Sequence, residues 1–150
     1  MPEPVIVGSD HAGFELKEKM KKALERKGIP VEDVGTHSTE PVDYPDFAHR
    51  VADAVASGRF KRGIVVCGTG IGVSMAANRH PGVRAAAAYD EETARLSREH
   101  NDANVLALGG RTLDPGLAER ILDVWLATPF TGGRHERRVE KIELPGNEPR

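Results

Sequence analysis

The sequence predicts an α/β fold in three layers, with helices on both faces of a five-stranded parallel sheet. Three observations lead there. Short apolar, β-branched runs alternate with helical patterns along the whole chain. Each run is too continuous in apolar residues for a strand with one wet face, which is how strands covered on both sides read. With 150 residues and 39% hydrophobic content, the chain suits one domain that removes roughly 70% of its unfolded surface from water.

The first strand is expected at residues 5–8. Residues 14–27 then place Leu16, Met20 and Leu24 on one helical stripe, with Glu15/Lys19 and Glu18/Lys22 paired on the wet side and Gly28 as the stop. A second strand at 30–34 precedes a helix over 45–57. There Pro45 suits the first turn, Phe47, Val51, Ala54 and Val55 make the apolar face, and Gly58 ends the helix. A third strand at 63–67 leads through a glycine loop into a helix following Gly72. A fourth strand is expected over 83–89, then a helix capped by Asp90 and reaching residue 98. The fifth strand, at 104–109, feeds a helix opened by Asp114-Pro115. Leu117, Ala118, Ile121, Leu122 and Trp125 give that helix its 3/4 spacing, and Pro129 closes it. A last helix is expected over 134–142. Residues 1–143 thus read as a single domain and 144–150 as a flexible tail.

Charge and cysteine content narrow the function classes. There are 21 Lys+Arg against 23 Asp+Glu, a net charge of -2, which gives no global attraction to nucleic acid. An anion site must therefore be local. A single cysteine excludes an intrachain disulfide and suits a reducing compartment. The longest apolar run, residues 85–89, is far below the ~20 residues of a membrane span, and the opening Met1-Pro2-Glu3 lacks a secretory pattern. A cytoplasmic protein without membrane or nucleic-acid partners is expected.

Parallel α/β sheets bind ligands beyond the carboxyl ends of their strands. Strand one is followed by Ser9-Asp10-His11-Ala12-Gly13, strand three by Cys67-Gly68-Thr69-Gly70-Ile71-Gly72, and strand five by Gly109-Gly110-Arg111. The Gly68–Gly72 loop frees backbone amides just ahead of a helix, an arrangement that stabilises anions or a developing oxyanion. A tight strand-to-helix turn is the plainer alternative. The register excludes a P-loop, since Gly68-Thr69 stands where Gly-Lys is required, and the third glycine falls one residue early for a dinucleotide fingerprint. Asp90 keeps a nucleotide-binding module as an alternative.

Cys67 opens the loop, where those amides would favour a thiolate able to act as base; the alternative is a small core hydrophobe. Thr69 is either a turn former or a donor to an intermediate. His11 and His100 are both expected at the ligand rim, whereas His37, His49, His80 and His135 have no assignment. Neither Cys-x2-Cys nor His-Glu-x2-His spacing occurs, so no metal is expected. Arg134 and Arg138 lie one helical turn apart, and with Arg111 they suit a phosphate dianion. Their distance from Cys67 in sequence hints that they serve a neighbouring subunit.

Ser9–Gly13, Asp43-Tyr44-Pro45, Cys67–Gly72, His100-Asn101-Asp102-Ala103-Asn104, Gly109-Gly110-Arg111 and Gly132-Gly133-Arg134-His135-Glu136-Arg137-Arg138 together closely resemble the type B ribose-5-phosphate isomerase family, which includes galactose-6-phosphate isomerase subunits. The resemblance spans about residues 5–142. It implies a flavodoxin/Rossmann-like sheet of order 2-1-3-4-5 and a cofactor-free, metal-independent aldose–ketose isomerase. It also implies a homodimer with shared active sites, with a dimer of dimers as an extension, in which the last helix packs on the partner subunit. D-ribose 5-phosphate and D-ribulose 5-phosphate would interconvert through a cis-enediolate. Cys67 would be the base, and Thr69 with the amides of Gly68, Gly70, Ile71 and Gly72 would hold the oxyanion. Asp10, His11 and His100 would handle the cyclic sugar and its opening, and Tyr44 and Asn101 would line the pocket. Arg111, Arg134 and Arg138 would bind the phosphate, some of them from the partner. An allose or galactose 6-phosphate substrate is the alternative with the same chemistry.

Overall fold

The computed structural model describes residues 2–147. Its elements run β1 (Val5–Ser9), α1 (Phe14–Arg26), β2 (Val31–Asp33), α2 (Tyr44–Ala56), β3 (Arg62–Cys67), α3 (Ile71–Ala77), β4 (Ala85–Ala87), α4 (Glu91–Glu99), β5 (Val105–Gly109), α5 (Pro115–Ala127) and α6 (Arg134–Glu140). All strand pairings are parallel.

Alternation along the strands explains the two cores. Val5, Val7, Ile64, Val66, Leu106 and Leu108 point to one face, where Leu16, Met20 and Leu24 of α1 and Ile121, Leu122 and Trp125 of α5 cover them. Ile6, Val65, Cys67, Val105 and Ala107 point to the other, under Ala48, Val51, Ala52 and Val55 of α2 and Val73 and Ala77 of α3. Helix starts follow the expected chemistry. Asp90 accepts the Thr93 amide hydrogen at 2.7 Å in a capping box, and Asp114 accepts those of Gly116 and Leu117 at 3.0 and 3.2 Å.

The sheet order is β2-β1-β3-β5-β4, which corrects the expected exchange-free order at its last two positions. Burial explains the swap. All five residues of β5 are buried, whereas β4 is three alanines, two of them half-buried and one exposed, and stands at the edge. The expected seven-residue strand over 83–89 is therefore short, and neither β4 nor β2, with Glu32 exposed, is covered on both faces. The connection from β4 to β5 runs back toward the sheet centre. A right-handed crossover then carries α4 to the face of α1 and α5, where Ala94 is buried. The third helix starts at Ile71, so Gly72 lies inside its first turn rather than before it. The last helix ends at Glu140, two residues short of the expected limit. Of the expected tail, residues 148–150 lie outside the described ones. Within 144–147 the Asn147 amide donates to the Leu144 carbonyl at 3.0 Å.

Candidate active site

From β1 the chain continues to β2 on one side and, through α2, to β3 on the other, so the topological switch lies between β1 and β3. The crevice beyond the carboxyl ends at that switch is where such sheets take their ligands. Three loops meet there. In the first, Asp10 is buried, and its carboxylate accepts the Gly13 amide hydrogen at 3.0 Å, closing the turn into α1. His11 Nδ1 accepts from the Val42 amide at 3.1 Å, which leaves Nε2 as the protonated nitrogen of the neutral ring.

The second loop follows β3. Cys67 is only 5% exposed and borders the core under α2 and α3, yet its sulfur accepts the Gly70 amide hydrogen at 3.2 Å. Gly70 caps α3 with φ 82°, a left-handed conformation that a side chain would strain. Thr69 is exposed, and its Oγ1 accepts the Ile71 amide hydrogen at 3.2 Å. The third loop crosses the second: Gly110 N–H donates to the Cys67 carbonyl at 2.8 Å and Arg111 N–H to that of Gly68 at 2.9 Å. This pinning lays the Arg111 side chain along Gly68, whose imagined Cβ would lie 3.4 Å from Arg111 Cδ. Tyr44, at the start of α2, spreads its ring over Gly72, where a Cβ would come within 2.6 Å of Tyr44 Cε1. Asp10, His11, Tyr44, Cys67, Thr69, Ile71, the three loop glycines and Arg111 thus gather at one rim.

His100, Asn101, Arg134 and Arg138 do not join them. The expected rim position of His100 is corrected, because a segment that leads into a strand lies at its amino end. His100 caps the end of α4, and Asn104, the last residue of the connection into β5, pairs its carbonyl with Gly63 N–H at 3.0 Å. Cys67 lies in register with Gly109, at the other end of β3 and β5. From Gly63 to Cys67 the strand spans about 13 Å. At this far end the His100 ring stacks on His135, with centroids 4.2 Å apart and planes 13° from parallel. Thr131 N–H donates to the Glu99 carbonyl at 3.1 Å and ties the approach to α6 to the end of α4. Arg134, Arg138 and Asn101 are exposed. Neither arginine forms an ion pair among the described residues, nor does Arg111 at the rim. Burial, and then the charges of His100, Arg134 and Arg138, hold the His135 imidazole below its usual pKa.

A sequence model described as ribose/galactose isomerase matches residues 5–142. The chain belongs to the ribose/galactose isomerase family. It is 48% identical to "Ribose-5-phosphate isomerase B" of Escherichia coli (strain K12) over 138 residues, 92% of this chain and 93% of that protein. The solved ribose-5-phosphate isomerase B of Clostridium thermocellum is 54% identical, with a TM-score of 0.92 over 93% of this chain and 94% of that one. The Mycoplasma genitalium ribose-5-phosphate isomerase B, solved with bound ribulose-5-phosphate, is 43% identical, with a TM-score of 0.89 over 93% of each chain.

In this isomerase Asp90 Oδ1 accepts from the Thr93 amide and hydroxyl, both at 2.7 Å, so Asp90 serves as the cap of α4. No group of three or more His, Cys, Asp or Glu that could hold a metal ion occurs among the described residues, and no helix is long and apolar enough to cross a membrane. Of the four histidines without an assignment from sequence, His135 is the one that stacks on His100. Its spacing of four from half-buried Val139 was the available signal, since that spacing puts both on the inward side of α6.

Proposed function

We propose that this protein interconverts D-ribose 5-phosphate and D-ribulose 5-phosphate, with Cys67 moving the proton. The observation that carries the reading is the Cys67 sulfur bonded to the Gly70 amide inside a loop that Arg111 overhangs. In the open-chain aldose, the Cys67 thiolate takes the C2 proton. The C2 electron pair forms the C1–C2 double bond, and the carbonyl pair moves to O1, giving a cis-enediolate. The same sulfur returns its proton to C1 while the O2 hydroxyl proton passes to O1 and O2 becomes the carbonyl. One base suffices because the two carbons are adjacent. Thr69 and the loop amides act on the oxygen that gains charge, and Tyr44 closes the side of the pocket. Asp10 and His11 handle the cyclic sugar before it opens.

The far-end residues reach this chemistry in a homodimer. A strand length of about 13 Å keeps His100, Asn101, Arg134 and Arg138 from touching the metabolite that their own Cys67 holds. A two-fold arrangement brings the α6 end of each subunit to the partner's rim, so that Arg134 and Arg138 join the partner's Arg111 around one phosphate. Supporting this, apolar side chains stand exposed beside the rim: Tyr44 at 41%, Ile71 at 53% and Met75 at 65%. The lone cysteine suits the reducing cytoplasm as the place of work.

The test is turnover on a panel of ribose, allose and galactose phosphates with chelator present. The reading expects ribose 5-phosphate to give the highest kcat/KM and EDTA to leave it unchanged. A hexose 6-phosphate preferred over it, or loss of turnover with EDTA, overturns the assignment.

A further inference from the structure

Lys17 is the one lysine whose side chain is fully buried among the described residues, and the chemistry above has no use for it. A cation withdrawn from water needs partners, and this one has three acceptor contacts. Its Nζ donates to both carboxylate oxygens of Asp33 at 2.7 Å and to the Thr36 carbonyl at 2.6 Å, with the Phe14 ring centroid 5.4 Å away. Asp33 also accepts from Lys21 at 2.9 Å and from the Gly35 amide at 2.9 Å. Burial alone would raise the Asp33 pKa, but these donors outweigh it and hold the carboxyl below its usual range.

What Lys17 holds is the inner wall of the rim. The Gly35 carbonyl accepts the Ser9 amide hydrogen at 2.8 Å, and the Thr36 amide donates to the Ser9 carbonyl at 2.8 Å. Both backbone groups of Ser9 are therefore paired with the Gly35–Thr36 peptide, which Lys17 flanks through Asp33 on one side and the Thr36 carbonyl on the other, and the next residues are Asp10 and His11. Six residues beyond Thr36, Val42 supplies the amide that fixes the His11 ring. At its other end, Lys17 donates its own amide hydrogen to the Gly13 carbonyl at 2.8 Å, so the Asp10–Gly13 turn is held from both sides. Apolar residues often replace a buried ion pair without loss of stability, so stability alone does not explain why this one stands here.

We propose that Lys17 is a positioning residue: through Asp33 and the Thr36 carbonyl it clamps residues 33–36 against Ser9, and so sets Asp10 and His11 for opening the cyclic sugar. The inference rests on the isomerase reading above. Ribulose 5-phosphate separates the steps, because the hydroxyl that would close its furanose carries the phosphate and the sugar stays open. Deuterium uptake at its C1 in D2O requires only the Cys67 proton transfer, whereas conversion of ribose 5-phosphate requires ring opening as well.

Lys17→Met and the double variant Lys17→Met/Asp33→Asn, which also removes the orphaned carboxylate, are compared with wild type in both assays, with thermal unfolding recorded. The expected result is folded protein in which ribose 5-phosphate conversion falls about 10²-fold, as for a displaced catalytic group, while C1 exchange falls far less and the exchange-to-conversion ratio rises. Parallel loss of both activities, loss of neither, or failure of both variants to fold overturns the proposal. Wild type that shows neither activity refutes the isomerase reading instead.

Discussion

The Gly70 amide donates to the Cys67 sulfur at 3.2 Å, so the proposed base and the glycine loop after it are one hydrogen-bonded unit. Negative charge on sulfur is stabilised by such a donor. The proposed role asks this of a thiol that borders the core: its neighbours on one side are apolar, and on the other it meets the Gly70 amide.

The proposed dimeric site, drawn from both ends of the sheet, predicts complementation between inactive subunits. Cys67→Ala and Arg138→Ala proteins should each lose most turnover. Once dissociated, mixed and reassociated, they should regain activity toward about a quarter of the wild-type sites, the share left intact by random two-fold pairing. Mixed samples no more active than the separate ones would argue for sites built within one chain.

Gly70 and Gly72 should respond differently to alanine. Gly70 has φ 82°, and a Cβ there would sit 3.0 Å from the Leu108 carbonyl carbon. Gly70→Ala should cost about 1–2 kcal/mol and lower kcat, because the amide facing sulfur shifts. At Gly72 the obstacle is the ring of Tyr44, which is 41% exposed and free to swing. Gly72→Ala should keep Tm near wild type and raise KM about tenfold, from a misplaced pocket wall. Urea unfolding and steady-state kinetics on the pair check this, and equal losses of stability would contradict it.

Acid should weaken the fold in two steps of the same sign. His135 has a folded pKa below its unfolded value of about 6.5, so its contribution is present above that pH and is lost as pH falls through the lower folded value. Asp33 is likewise depressed. Its contribution is present above about 3.9 and fades as pH falls through its lower folded value. Urea midpoints measured from pH 8 downward should show both declines, and His135→Gln should remove the upper one. A midpoint that rises on acidification from pH 7 would contradict the assignment.

Much of this was legible in the residues, because a strand-to-helix loop announces its own place: Cys67–Gly72, Asp10-His11 and Arg111 follow strands and so share a rim. The order of β4 and β5 was not legible. It turns on which strand is buried on both faces, and a run of alanines reads as apolar without filling much space. That His100 faces away from Cys67 follows from chain direction, since it precedes its strand. Nothing in the helical period of α1 sets Lys17 apart from the other lysines of that helix. Its burial depends on Asp33 and Thr36, distant partners that no helical period reveals.

Turnover of ribose 5-phosphate by wild type and Cys67→Ala is the most direct measurement. With far-UV circular dichroism and Tm confirming an intact fold, the substitution should lower kcat by more than about 10²-fold, the low end for removing a positioned acid–base group. Turnover unchanged from wild type would contradict the role of the Cys67 sulfur and, with it, the mechanism.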